Sequence, residues 1–480
     1  MLPRYGGSAL VYVLVIMFVV SIIFSAMVTF IVSQLKFSFY QAEREQAFQI
    51  AEAGIDWYRW YLAHETAGKT AQQIQEFWDS VDPGPYGVGT PYEVSYGGGD
   101  YSISVQKPDP GSTIVMVTST GWVNQDPSAK RIIQVRFRRP SWSEYLFLSN
   151  SFMNFGTEAT VYGKVFSNYG IRFDGHAYNT VSALPVSFND PTWGGNNLQF
   201  GVHTTVNPAD PNAPSYPWPA GTVPDRPDVF AGGRQFPSPA VSFTGVTADL
   251  ANMKTQAQSG NGYYFDSSGL GRRILFNSDG TFTVCTVKSA NSNTHAISRY
   301  YATSGSGTCT SCSGSCATNY PIPNNGIIFV ENNAWVDGTI NNDKVTVAAA
   351  NLSGGGNQAD IYIGSSAANL TYASFDCNNM LGLVAQHDVR VLSSCPNNYV
   401  VDAALLAQDG TVGINNNGSF GAKNSMTFNG AIVSYLEPYF VNGNNGFGVR
   451  TYNFNNNLLY CPPPYFPTGT QYSIDLWKEL

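Results

Sequence analysis

The 480-residue chain carries 33 acidic against 25 basic residues, a formal net charge of −8, and only 12% charged residues, about half the usual share. Basic residues this sparse exclude the broad phosphate-binding footprint of a nucleic-acid protein. Seven cysteines, none before Cys285, fit a chain exported from the reducing cytoplasm.

The N-terminus opens with a short polar leader holding Arg4, then "GGSALVYVLVIMFVVSIIFSAMVTFIVSQ" from Gly6 to Gln34. Ala9 to Val32 contains no charge, and a helix of that length reaches about 36 Å, enough to cross a hydrocarbon core of roughly 30 Å. The run is longer than the apolar core of a secretory signal, and no small-x-small cleavage site follows it. Arg4 ahead of the span predicts a cytoplasmic N-terminus with the bulk of the chain outside. From Gln34 to Leu62 there is no proline, and Phe37, Tyr40, Phe48, Ala51, Ile55, Tyr58 and Leu62 recur as one side of a helix would. One long helix is therefore predicted over 8–65. Within it Ser21, Ser25, Thr29 and Ser33 fall four apart. Two readings stay open: a small-residue stripe for close helix packing, or hydroxyls that bond back to the preceding turn.

The leader ending in Gly7, the small Ser8, the apolar helix and "REQAFQIAEAGIDWY" (Arg44 to Tyr58) resemble the N-terminus of type IV pilin-like proteins, in particular PilX-type minor pilins. The resemblance implies a prepilin peptidase cut between Gly7 and Ser8, methylation of Ser8, residence in the inner or cytoplasmic membrane, and later packing against other pilins in an extracellular filament. Shaft-building pilins carry a glutamate at the fifth mature position, which here is Tyr12. Tyr12 cannot pair with a neighbour's amino group, which points to an initiating or tip subunit of a pilus or a secretion pseudopilus.

"DPGPYGVGTP" (Asp82 to Pro91) ends the helical part. "YEVSY", "YSISV", "TIVMVTSTGWV" and "RIIQVRF" then alternate as strands do, predicting a small antiparallel β region over 82–140. "RFRRPSW" (Arg136 to Trp142) reads as a solvated strand end, with contact to anionic lipid or another subunit as the alternative.

From Tyr145 the composition turns to Gly, Asn, Ser, Thr and aromatics, predicting a β-rich ectodomain over 145–480 with an irregular Pro-rich insertion at about 184–245. Short apolar runs centre on Phe329, Val347, Tyr362, Leu383, Leu405 and Ile432, at gaps of 18, 15, 21, 22 and 27. Gaps near 20 predict coils of a β-solenoid, with a β-sandwich as the alternative. "VYGKV", "VDGTI" and "FNGAI" share an apolar-x-Gly-x-apolar pattern, in which glycine allows a bend or close backbone approach. The fold class is thus α+β, a pilin helix with a small sheet followed by a large all-β part. The segments Ser143–Gly175 and "CPPPYFPTGTQYSIDLWKEL" also resemble large pilus-assembly proteins with a β-helix-like ectodomain.

Cys377 and Cys395 flank one predicted coil and are expected to staple it, while Cys309 with Cys312 or Cys316 would close a Gly/Ser-rich loop. A zinc site joining Cys285 to that cluster lacks the usual second CxxC. Asp360, Asp376, Asp388 and Asp402 lie in the β-rich part, and the five histidines are scattered. No nucleophile elbow, P-loop or HExxH appears, so no enzyme, cofactor or resident metal is expected. Exposed aromatics leave a surface glycan or host ligand as a partner. The alternative from another class is a membrane-anchored cell-surface β-helix protein, carbohydrate-active and never part of a filament.

Overall fold

The computed structural model describes all residues except 1–7, 68, 70, 82, 109–112, 140–141, 242, 244–245, 305, 355, 416–419 and 468–471. Helix α1 spans Ser8–Thr66, 59 residues without a break. The absence of proline lets every turn continue the hydrogen-bond ladder. Its outer half packs on protein, while Leu10 to Tyr40 present their large apolar side chains to the surroundings. A short α2 (Ala71–Asp79), which the sequence pattern did not suggest, follows and buries Ile74 and Trp78.

Strands β1 (Tyr92–Tyr96), β2 (Gly99–Gln106), β3 (Ile114–Val123) and β4 (Arg131–Arg138) form an antiparallel sheet in chain order. β3 alternates strictly between buried and half-buried positions, as a sheet with one covered face must. Tyr101, Ile103, Val117, Val135 and Phe137 on that face meet Ile50, Ala51, Ile55, Tyr58 and Leu62 of α1. Two glycines permit the contact. A Cβ on Gly121 would strike the backbone of Ala47 and Ala51, and one on Gly54 would strike Ser119. Gly121→Val should therefore lift β3 off the helix and cost about 1–3 kcal/mol, read as a lower melting temperature of the detergent-solubilised protein.

The fifth strand of this sheet is Ser473–Glu479, antiparallel to β4. The sequence reading assigned this segment to the ectodomain, since nothing in its local pattern names β4 as a partner. The ectodomain is consequently inserted between two hydrogen-bonded neighbours of the small sheet. The basic cluster is not a solvated end either. Arg136 donates to both oxygens of Asp475 at 2.8 and 3.1 Å, and Arg138 donates to Asp475 at 3.1 Å and to Glu144. Arg131 pairs with Glu479.

The ectodomain consists chiefly of three parallel ladders around one apolar interior. The first runs through Tyr263–Phe265, Ile327–Val330, Lys344–Ala349, Met380–Ala385, and the ends of Asn398–Ala407 and Ala422–Ser434. It continues into Phe147–Ser149, Val165–Ser167, Val181–Ala183 and Arg234–Gln235. The second joins Gly271–Phe276, Asn333–Ile340, Ile361–Ile363, Val389–Val391 and Val412–Ile414. The third joins Leu370–Tyr372 to the first halves of Asn398–Ala407 and Ala422–Ser434, then Asn445–Phe454, Ala159–Tyr162 and His176–Ala177. Antiparallel pairing in the ectodomain is confined, among the described residues, to the Gly271–Pro321 hairpins, Ser187–Asn189 with Leu198–Phe200, and Val441–Asn442 with Asn445–Gly446.

The first-ladder strands read as apolar runs because they are covered twice. One face lines the interior. On the other, Phe329, Ala348, Val384, Leu406 and Val433 pack under α3 (Val246–Gln258) and under Leu458 and Phe466. A sheet buried on both faces loses its alternation. The run at Ile361–Ile363 belongs to the second ladder, so the spacing along the first is uneven: Val347 pairs with Leu383, 36 positions on, and Leu383 with Leu405, 22 on. The three glycine patterns mark corners. Gly338 and Gly430 sit where a strand leaves one ladder for another, and a Cβ on them would strike the backbone of Phe276 and Ala403. Gly163 separates Ala159–Tyr162 from Val165–Ser167.

Cys285 bonds Cys312, Cys309 bonds Cys316, and Cys377 bonds Cys461. The expected Cys377–Cys395 staple does not form. Cys395 is a free thiol, 3% exposed, packed against Gly364, and its pKa is pushed up to about 12 by burial, whereas Cys377 lies half-buried in a loop. Flanking one coil in sequence does not aim two side chains at each other.

Candidate functional site

The functional surface with the clearest physical demand is the exposed part of α1. It is long and apolar enough to cross a membrane, and none of its most apolar window is covered by the rest of the protein. A row that includes Leu14, Phe18, Ile22, Phe24, Phe30 and Val32 open to water would cost several kcal/mol per turn, so this surface requires lipid or other helices. Gly7, the expected cleavage point, lies outside the described residues, and Ser8 begins the helix. Tyr12 is 70% exposed, one turn into the span.

Two hydroxyls of the small-residue stripe bond back to the preceding turn. Ser21 Oγ donates to the Met17 carbonyl at 2.7 Å, and Thr29 Oγ1 to that of Ser25 at 2.9 Å, so these hydroxyl protons are satisfied within the helix. The side chains remain short, and Ile22, Ser25, Ala26, Thr29, Phe30 and Ser33 line a shallow groove along the helix surface.

The four acids singled out in the β-rich part are not one cluster. Asp376 caps its own loop through Ser374, Asn378 and Asn379. Asp402 accepts from Asn429 Nδ2 and the Tyr372 amide, and burial raises its pKa. Asp360 and Asp388 do converge, on His387. Their ligand-type atoms lie within 4.8 Å of one another. His387 Nδ1 is 3.0 Å from Asp360 Oδ1, which also accepts the Asp388 amide. Tyr362 donates to Asp360 Oδ2, Thr411 to Asp388 Oδ1 and Arg390 twice to Asp388 Oδ2. Every carboxylate oxygen has a donor, and the Arg390 guanidinium supplies a positive charge directly to Asp388. Burial pushes Asp360 up, but the His387 and Asp388 hydrogen bonds outweigh it and lower its pKa. The Asp360 hydrogen bond in turn raises that of His387. The arrangement ties neighbouring strands of the second ladder together. Its convergence was invisible in sequence, since Asp360 and His387 meet only through the register of Ile361–Ile363 with Val389–Val391.

Residues 6–56 match the family described as PilX N-terminal, so the chain begins as PilX-type pilins do. The competence-associated pilin ComZ from Thermus thermophilus aligns at 13% identity over 91% of this chain and 98% of that chain, with a TM-score of 0.33. No match is found among curated proteins.

Proposed function

We infer that this type IV pilin-like chain works as a minor subunit placed at the start or tip of a filament, with its β-rich ectodomain displayed outside the cell. The observation that carries the reading is α1: an apolar half that the rest of the chain leaves uncovered continues without a break into a half clamped on a small antiparallel sheet, within a segment of PilX type. Such a helix is held by lipid first and can exchange lipid for sister helices later. Prepilin processing would free Ser8 as the mature N-terminus.

Tyr12 supports the special position. A carboxylate buried among apolar helices is tolerated only with a partner charge, and a tyrosine offers none to a subunit docking above. The stacked parallel ladders favour a β-solenoid reading of the ectodomain. The closed hydrogen bonding of Asp360 and Asp388 favours a structural rather than catalytic role.

Mass spectrometry of the mature N-terminus tests the reading: a methylated Ser8 is expected, and an intact Met1 would sink it in favour of a static membrane anchor. Labelling should find the protein at filament ends, and Tyr12→Glu should shift it into the shaft. Unchanged placement of that variant would remove the charge argument.

A further inference from the structure

The third ladder turns one face outward, with the buried Asp402 at one end of it. Val401, Phe428, Tyr452, Val161 and Ala177 fill the interior, so their neighbours along each strand point outward. The strand registers place these outward residues in columns. Val400, Thr427, Thr451, Thr160 and the exposed His176 form one column. Asp402, Asn429, Asn453 and Tyr162 form the next, and Tyr178 extends it, its ring stacked on Tyr162 at 4.6 Å and 11°.

The second column is a hydrogen-bonded amide ladder. Asn453 Nδ2 donates to Asn429 Oδ1 at 2.8 Å, and Asn429 Nδ2 donates to Asp402 Oδ1 at 2.7 Å. Each asparagine spends one of its two amide protons in this way. The tyrosine pair is open, at 46% and 54% exposure. These columns contain no lysine or arginine, and their one acid, Asp402, is 2% exposed.

These two columns are therefore largely polar, hold no lysine, arginine or exposed acid, carry one ionisable side chain at their end in His176, and repeat at the strand spacing of about 4.8 Å. A polyanion finds no lysine or arginine there to pair with. A partner that itself repeats neutral hydroxyls would meet hydroxyls, amides and an aromatic ring pair in register. We propose that this face binds an uncharged polysaccharide, with Tyr162 and Tyr178 against the sugar rings and the threonine and asparagine columns bonded to their hydroxyls. The proposal deepens the reading of the ectodomain as a displayed head and rests on it.

The test uses the full chain in detergent micelles, co-sedimented with microcrystalline cellulose and with chitin, and with alginate as the charged comparison. Retention on an uncharged polymer is expected, with at least a tenfold weaker affinity for Tyr162→Ala/Tyr178→Ala at an unchanged melting temperature. Thr451→Arg, in the neighbouring column, should weaken retention as well and serves if the double variant misfolds. No retention of the unsubstituted protein on either uncharged polymer, tighter retention on alginate, or retention indifferent to both variants would overturn the proposal and leave the columns a purely structural ladder. The double variant should enter filaments normally. Failure of the unsubstituted chain to enter filaments would instead count against the subunit reading alone.

Discussion

A chain truncated after Tyr472 is expected to lose about 3 kcal/mol or more from the small domain and to expose the β4 edge to proteases. Residues Ser473–Glu479 supply that edge with a ladder of backbone bonds, each contributing about 0.5–1.5 kcal/mol net. They also supply Asp475, whose two oxygens serve Arg136 and Arg138, and Trp477, whose ring meets Phe48 of α1 edge-on at 6.1 Å. Without them Arg131 and Arg136 lose the carboxylates of Glu479 and Asp475, and Arg138 keeps Glu144. Asp475→Asn separates the contributions: it keeps the strand but weakens the shared pairing, and should cost about 1–2 kcal/mol at this partly exposed edge. Thermal melting and limited proteolysis measure both. A truncated chain as stable as the whole one would show that β4 needs no partner.

Removing the Cys377–Cys461 bridge should have the larger effect on the ectodomain. It spans 84 positions, and loop-closure entropy for that length is about 4.6 kcal/mol. The bridge also has a local task. The segment beside Cys461 covers the outer face of the first ladder: Thr346 Oγ1 donates to the Pro464 carbonyl, and Phe466 sits with Val384, Leu406 and Val433. Cys377→Ser/Cys461→Ser should lower the melting temperature by roughly 10 °C and, once that cover lifts, promote aggregation. The 27-position Cys285–Cys312 bridge should matter less, at about 3.6 kcal/mol. A double variant melting within a degree of the parent would mean that the cover holds by packing alone.

Local signals carried much of this architecture. α1 was legible because proline is absent and apolar positions recur at helical spacing. β1 to β4 were legible because one face is covered and the other is not. The first-ladder strands showed as apolar runs because both of their faces are buried. What stayed hidden depends on partners remote in sequence. "YSIDL" reads as a strand with or without β4 beside it, and Cys377 could equally have faced Cys395 or Cys461. The convergence of Asp360, Asp388 and His387 follows from a register that composition does not encode. The exposed span, the most demanding feature of the candidate site, was the most legible, since 24 uncharged residues need no partner to be recognised.

The first ladder does not follow the chain. Ile432–Ser434 lies beside Phe147–Ser149, while the strands after Phe147 climb one way and those from Tyr263 approach from the other end. Refolding therefore has to join two half-stacks across a separation of some 285 positions, after the long return through α3. Contacts so distant in sequence are slow to form, and until they form the inner edges of both halves stand open to pairing with other chains. A lag before native structure appears, shortened by dilution, is the kinetic signature this topology imposes.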